Sequence, residues 1–313
     1  MYHPKHIIDV LAANVRKTRN PFGIPKFMVN TWHKKLSLRQ EGEALLFTGL
    51  MYQFVPYIEK ATKYLERFEH SRLAGLARFG KYQPKRLSGV GLSMITPGDK
   101  KKEANEIIQN IAWILTKSSV DFYYQTGLDE YSGILLYDLG DQESFVAHAK
   151  FVAEKLKKAG VKRIITIDPH TTYALKVLYP EVTGVRFDVK AYFELLNLRS
   201  NNGRSRVTLH DPCFYGRYLE LSHAPRQALE MLDIECVEVR NSGTFTSCCG
   251  GPAESIFPGL SREVMERRVE ELKTTGTPVV AMCPICLGNL KKSGAQVEDL
   301  SSVIARCAEP MRA

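Results

Sequence analysis

The sequence predicts an α/β protein: two tandem, related α/β (Rossmann-like) halves with mainly parallel sheets, preceded by a basic N-terminal arm. Three observations carry this. Short β-rich runs alternate with helical patterns, which argues for helices layered on parallel strands. A polar, turn-rich stretch, Ser200-Asn201-Asn202-Gly203-Arg204-Ser205, interrupts the alternation, and the same order of elements then starts again. The 313 residues suit about two domains. With 44% hydrophobic and 25% charged residues there is apolar material for a sizeable core, so disorder is excluded.

The elements follow in order. Residues 44–48 (ALLFT) read as a buried strand ending at Gly49, and 52–67 as a helix that tolerates Pro56 near its start. Residues 105–115 are helical, with Ile107, Ile108, Ile111 and Leu115 on one face. Residues 120–124 read as a strand, 145–156 as a helix and 163–167 (RIITI) as a strand. Beyond the turn-rich stretch come strand 207–209, helix 217–232, strand 236–239, helix 260–272 and strand 279–282. The boundaries expected are therefore an arm at 1–40, a first domain at 41–199 and a second at 206–313.

The two halves can be lined up. Residues 156–171 and 272–286 both run helix end, glycine turn, strand, then a proline-containing tetrad. On that alignment Asp168 and Thr171 stand where Cys283 and Cys286 stand. Gln125-Thr126-Gly127 stands opposite Cys248-Cys249-Gly250, and Leu50 opposite Cys213. The halves share a pattern, and sulfur occupies it only in the second.

All seven cysteines lie beyond residue 210. A disulfide scaffold would be short and cysteine-dense throughout. The N-terminus lacks the apolar core of a signal peptide, and no apolar run approaches the roughly 18 residues of a membrane span. The expectation is a cytoplasmic protein with reduced thiols, where clustered cysteines mean metal or redox chemistry. Five of them fall in three groups: His210-Asp211-Pro212-Cys213, Cys248-Cys249-Gly250-Gly251-Pro252 and Cys283-Pro284-Ile285-Cys286. Each follows a strand or turn-rich run, and strand carboxyl ends are where open α/β sheets gather ligands. A structural zinc takes four ligands and leaves one thiol over. Vicinal cysteines are awkward at one ion, whereas several irons can accept both. The set therefore favours an unusual iron–sulfur cluster, with zinc in the same pocket and a metal-free CxxC redox pair as alternatives. Gly250 and Gly251 allow close backbone approach and N–H donation to cluster sulfur. Cys236 and Cys307 read as buried small hydrophobes.

This arrangement resembles the cysteine-rich CCG domain found in heterodisulfide reductases and in the iron–sulfur subunits of glycolate and lactate oxidases. Cys213, Cys248-Cys249-Gly250 and Cys283-x-x-Cys286 match that motif, and the flanks His210-Asp211-Pro212 and Gly216-Arg217 look like the family. The resemblance implies two CCG domains in tandem and one non-cubane [4Fe-4S] cluster on Cys213, Cys248, Cys249, Cys283 and Cys286, with an iron able to meet substrate sulfur. Here the first motif is degenerate: Leu50, Gln125, Thr126, Asp168 and Thr171 are not a cluster-ligand set, so the first half is expected to keep the fold without the cluster. Asp168 and His170 are a weak candidate ion site.

The net charge of +9 is local. Residues 1–40 hold eight basic residues and one acid, Asp9, which is +7 of the total and argues against a nucleic-acid-binding body. Asn20-Pro21-Phe22-Gly23 followed by Thr31-Trp32 resembles a segment that, in fused family members, follows a ferredoxin-like domain. The arm is thus expected to dock a separate ferredoxin-like subunit, with a flavoprotein subunit as a further partner; membrane contact would be at most peripheral. Gly89-Val90-Gly91 lacks a third glycine and a preceding strand and reads as a loop; Lys100-Lys101-Lys102 reads as a solvated helix start; Tyr123 and Tyr124 as core or pocket lining. The function expected is an iron–sulfur subunit of a heterodisulfide-reductase-like complex acting on a disulfide or thiol, small or protein-bound. The alternatives are a pure electron relay or a zinc-stabilised interaction subunit.

Overall fold

The computed structural model describes residues 3–68, 83–201, 204–254 and 257–310. Met1 and Tyr2 of the arm, Asn202 and Gly203 of the turn-rich stretch, and residues 311–313 lie outside the described residues. The fold is α/β. Strands β1 (Ala44–Phe47), β2 (Phe122–Tyr123), β3 (Arg163–Thr166) and β4 (Asp188–Ala191) form one wholly parallel sheet in the order β2-β1-β3-β4. After β5 (Leu198–Ser200), strands β6 (Ser205–His210), β7 (Ile234–Cys236), β8 (Val279–Ala281) and β9 (Val297–Asp299) repeat that order as β7-β6-β8-β9, again parallel. β10 (Ala308–Pro310) returns to pair antiparallel with β5.

The strands are continuous apolar runs because helices cover both sheet faces: β1 is buried along its whole length, as are the last three residues of β3. The two halves share one core, in which Leu46 and Ile165 of the first sheet join Leu209 and Val280 of the second. Packing between the halves is reciprocal. Helix Met51–Phe68, which follows β1, packs on helix Pro284–Lys292, which follows β8. Helix Pro169–Tyr173, which follows β3, packs on the Phe214–Tyr218 turn, which follows β6. The carboxyl ends of the two sheets therefore face each other.

Several elements differ from expectation. The segment 217–232 is not one helix: a π-helical turn, Phe214–Tyr218, is closed by the Leu219 N–H on the Phe214 carbonyl, and helix His223–Glu230 starts anew after Glu220 takes a left-handed φ of 53°. Residues 85–95, expected as a loop around Gly89 and Gly91, form a helix. Gly89 serves packing there, since a Cβ would lie 2.4 Å from the Gly23 backbone. Residues 1–40 are no free arm. His3 caps helix Pro4–Thr18, whose Ala12 and Val15 are buried, and Ile24 and Trp32 are fully enclosed. Much of the basic charge is used internally: Lys26 pairs with Glu130, Arg39 with Asp121, and Arg19 lies over the Phe151 ring. Among the described residues no helix is long and apolar enough to cross a membrane.

His148 is buried beneath the first sheet and its Nε2 donates to the Tyr131 carbonyl at 2.7 Å. Burial, with Arg19 nearby and only partly offset by the Tyr131 bond and Glu130, pushes its pKa down to about 4. As pH falls below the ordinary value near 6.5, the unfolded chain takes up a proton that the folded chain refuses. Stability present above pH 6.5 is lost between there and about 4, by about 3 kcal/mol. A His148→Gln variant should show a shallower loss of denaturation midpoint on acidification; an unchanged slope would remove His148 as the cause.

Candidate metal centre

In a sheet ordered β7-β6-β8-β9 the chain leaves β6 in one direction and returns past it to β8. A crevice opens between the carboxyl ends of those two strands, the usual ligand position in an open α/β sheet. Cys213 follows β6 and Cys283 follows β8, so two of the three cysteine groups border this crevice. Cys283 is the N-cap of helix Pro284–Lys292, with Pro284 at its first position. Cys286 lies one turn on, facing the same way. The Cys248-Cys249 loop is brought over from beyond β7.

Asp211 fixes that loop. Its buried carboxylate takes a bidentate pair from Arg226 at 2.8 Å each and accepts from the Gly243 N–H at 2.7 Å, while its carbonyl accepts from Thr246 Oγ1 at 2.8 Å. Gly216 lets the loop approach, since a Cβ would lie 2.4 Å from the Gly243 oxygen, and Arg217 donates to the Thr246 carbonyl. The flanking residues singled out in the sequence thus act as scaffold for the Cys-Cys pair. Gly250 takes a left-handed φ of 79° and its N–H donates to Cys248 Sγ at 3.3 Å. Asn289 Nδ2 donates to the Cys249 carbonyl.

Cys249, Cys283 and Cys286 are buried and packed together with Ile285; Cys213 and Cys248 are half-buried. The thiols act on one another. Hydrogen bonds from Cys248 and Cys286, against burial, hold Cys249 well below an ordinary thiol. Burial raises Cys283, but Cys286 and His170 outweigh it and bring it down to about 6. The donors shift the other way: Cys248 is raised by its bond to Cys249 and by burial, and Cys286 by its bonds to Cys249 and Cys283. Burial also raises Cys213, which feels the charges of His170, Cys249 and Cys283. Two of the five, Cys249 and Cys283, are thus held toward thiolate, the form that binds metal, while Cys213, Cys248 and Cys286 are held as thiols that interact with them. Cys236, half-buried in β7, and Cys307, buried, stand apart from it.

Sequence reasoning gave no role to His210, Arg268, Asp138 or Glu271. A ring nitrogen of His210 and the sulfurs of Cys249 and Cys286 lie within 4.8 Å of one another. The fully buried Arg268 donates from Nε to His210 Nδ1 at 3.0 Å, and its Nη1 reaches the Asn241 carbonyl and Glu271. Because Nδ1 accepts, the proton of the neutral ring sits on Nε2, which has no hydrogen-bond partner of its own. Metal-ligating histidines instead present a bare nitrogen and donate from the other. His210 is thus an N–H donor facing sulfur, and the donor set left for metal is all thiol.

The equivalent crevice of the first half is packed. Asp168, the counterpart of Cys283, caps helix Pro169–Tyr173 by accepting from the Thr171 N–H, and a Cβ on Gly49 would lie 2.0 Å from Thr171 Oγ1. Among the described residues, Asp168 and His170 are not part of a metal-competent group. His170 turns instead toward Cys283 and toward Asp138, whose Oδ2 lies 3.5 Å from its Nδ1. A Cβ on Gly251 would meet Ile285 Cγ2 at 2.3 Å and Cys249 Sγ at 3.4 Å. Ile285 is stiff at χ1, so Gly251→Ala should cost about 1–3 kcal/mol by overpacking and displace the Cys283–Cys286 turn. A lower melting temperature together with lower iron content checks this; unchanged values would show that the contact relaxes freely.

All five cysteines fall within a stretch that matches a known family. The cysteine-rich domain (CCG) family matches residues 207–291. A probable membrane-anchored ferredoxin of Chromohalobacter salexigens is 30% identical over 215 residues, covering 61% of this chain and 32% of the relative. The probable iron-sulfur-binding oxidoreductase FadF of Bacillus subtilis is 28% identical over 204 residues, covering 61% and 28%. One component of the dihydromethanophenazine:CoB–CoM heterodisulfide reductase of Methanosarcina barkeri is 28% identical over 177 residues, covering 50% and 43%. The chain spans less than half the length of each of these relatives. It is an α/β protein whose residues 207–291 match the cysteine-rich CCG domain and which resembles iron–sulfur oxidoreductase subunits.

Proposed function

We propose that the chain is an iron–sulfur subunit of a heterodisulfide-reductase-like complex, exchanging electrons between a partner's clusters and a disulfide or thiol. Cys213, Cys248, Cys249, Cys283 and Cys286 would hold one non-cubane [4Fe-4S] cluster. The observation that carries this is the all-thiol donor set with a histidine N–H facing it: five thiols at one crevice exceed what one zinc takes, and His210 is turned the wrong way to complete a zinc site. When bound, the cluster supplies electron transfer and an iron open to sulfur. The chain's own residues hold it, with Gly250 and His210 donating N–H groups toward sulfur, as tunes such clusters, and Ile285 shielding it from water.

Partners are a ferredoxin-like subunit and a flavoprotein subunit. Residues 1–40 remain the proposed docking face, through the exposed Lys34 and Lys35. Because that segment is part of the core, the test is charge reversal rather than deletion: Lys34→Glu with Lys35→Glu should weaken co-purification of the partner and reduce its salt sensitivity; unchanged co-purification would move the interface elsewhere. A pure electron relay is the second reading. Adding a thiol or disulfide to cluster-loaded protein should change its EPR spectrum, and an unresponsive spectrum would favour the relay.

A further inference from the structure

A cavity of about 110 Å³ lies directly behind the thiol cluster, and the activity above does not use it. Its walls are apolar: Ile7 and Leu11 of helix Pro4–Thr18, Phe22, Ile58, Leu135 and Ile285. Its wall borders sulfur, since Ile285 packs on Cys249, Cys283 and Cys286 and His170 interacts with Cys283. Polar groups are confined to a few points. His170, about 95% buried, lines it with an Nδ1 that lacks a hydrogen-bond partner and sits 3.5 Å from Asp138 Oδ2, too long for a hydrogen bond. Glu254 also lines it and is bridged to Lys292 at 3.1 Å. No lysine or arginine is among the described lining residues.

We infer that this cavity is a specificity pocket for the uncharged, apolar substituent of a small thiol or disulfide. The inference rests on the sulfur-substrate reading given above. An engineered cavity near 150 Å³ lined by similar side chains takes benzene, so the space here suits a short alkyl group. The buried His170 Nδ1 offers one polar contact at the end of the pocket nearest Cys283. With His170 already beside Asp138 and Glu254 beside Lys292, the mostly apolar lining leaves the charge of a carboxylate- or sulfonate-bearing thiol buried without a partner of its own. The pocket is composite: the first half, whose own crevice is packed, supplies His170, Asp138 and most of the apolar wall to the centre of the second.

The test uses the cluster-loaded protein under anaerobic conditions and 4,4,4-trifluorobutane-1-thiol as probe, followed by fluorine NMR for binding and by EPR for contact with the centre. The expected result is saturable binding at least tenfold tighter than that of 2-mercaptoethanesulfonate. Ala61→Phe, which fills the pocket from a half-buried position on helix Met51–Phe68, should abolish it at unchanged iron content. Leu139→Phe, from another wall, should do the same and guards against a folding defect in the first variant. Binding that survives both variants, no binding, or equal affinity for the sulfonate would overturn the pocket. Pocket binding with an unchanged EPR spectrum would leave the pocket standing and remove the sulfur-substrate reading.

Discussion

Replacing Cys249 by serine is expected to reduce bound iron from about four per chain, the content of one [4Fe-4S] cluster, to near zero, with the helical signal in circular dichroism retained. Cys249 is the hub of the site. It is buried, accepts from both Cys248 and Cys286, and lies within reach of His210. A serine hydroxyl would have to ionise in the same buried place with a far higher intrinsic pKa, so the thiolate character that draws metal disappears. The fold should persist because the loop is held from outside the thiols, by Asp211, Arg226 and Thr246. Full iron content with an unchanged EPR spectrum would remove Cys249 from the ligand set. The same substitution at Cys236 or Cys307, both apart from the cluster, should leave iron content unaltered.

Arg268→Gln should be the most destabilising polar substitution in the second half, costing about 3–5 kcal/mol. The guanidinium is wholly buried and serves the buried His210 and the part-buried Asn241 carbonyl and Glu271 at once, so its loss leaves all three short of a donor. It should also act on the centre. Without a donor at Nδ1, the His210 proton is free to move there, and the Nε2–H toward sulfur is lost. N–H donors stabilise the more negatively charged, reduced form of a cluster, so the reduction potential should fall. His210→Gln, which keeps an N–H donor without the ring, should retain more of the potential than His210→Leu. Equal potentials in all three variants would show that the ring merely packs.

The sequence was most informative where chain order and chemistry coincide. The alternation of elements and the restart after residue 200 gave the α/β class and the paired halves, because parallel strands must be apolar throughout and their helices amphipathic. The alignment of Asp168 with Cys283 corresponds to matching positions: each is a helix N-cap in extended conformation, followed by proline, after the third strand of its sheet. Strand ends were less legible, as in β2, which keeps two residues of the five expected. Pairing partners decide how far a ladder runs, and they are remote in sequence. Residues 1–40 were misjudged from charge: their lysines and arginines mark the surface, whereas Ile24 and Trp32 do the packing. Gly89 looked like a loop residue because the chain that needs its missing Cβ is 66 positions away. His210 was visible as a flank to Cys213, but its role depends on Arg268, 58 residues on, whose meaning appears only when helix Pro258–Lys273 lies against β6. The His170–Asp138 pair joins two helices of the half without sulfur, where no motif directs attention.

The central claim, that five thiols of the second half hold one iron–sulfur cluster, is tested most directly by quantifying iron, acid-labile sulfide and zinc in the full chain purified without oxygen. The account predicts about four irons with matching sulfide and no stoichiometric zinc. One zinc per chain with neither iron nor sulfide would contradict it.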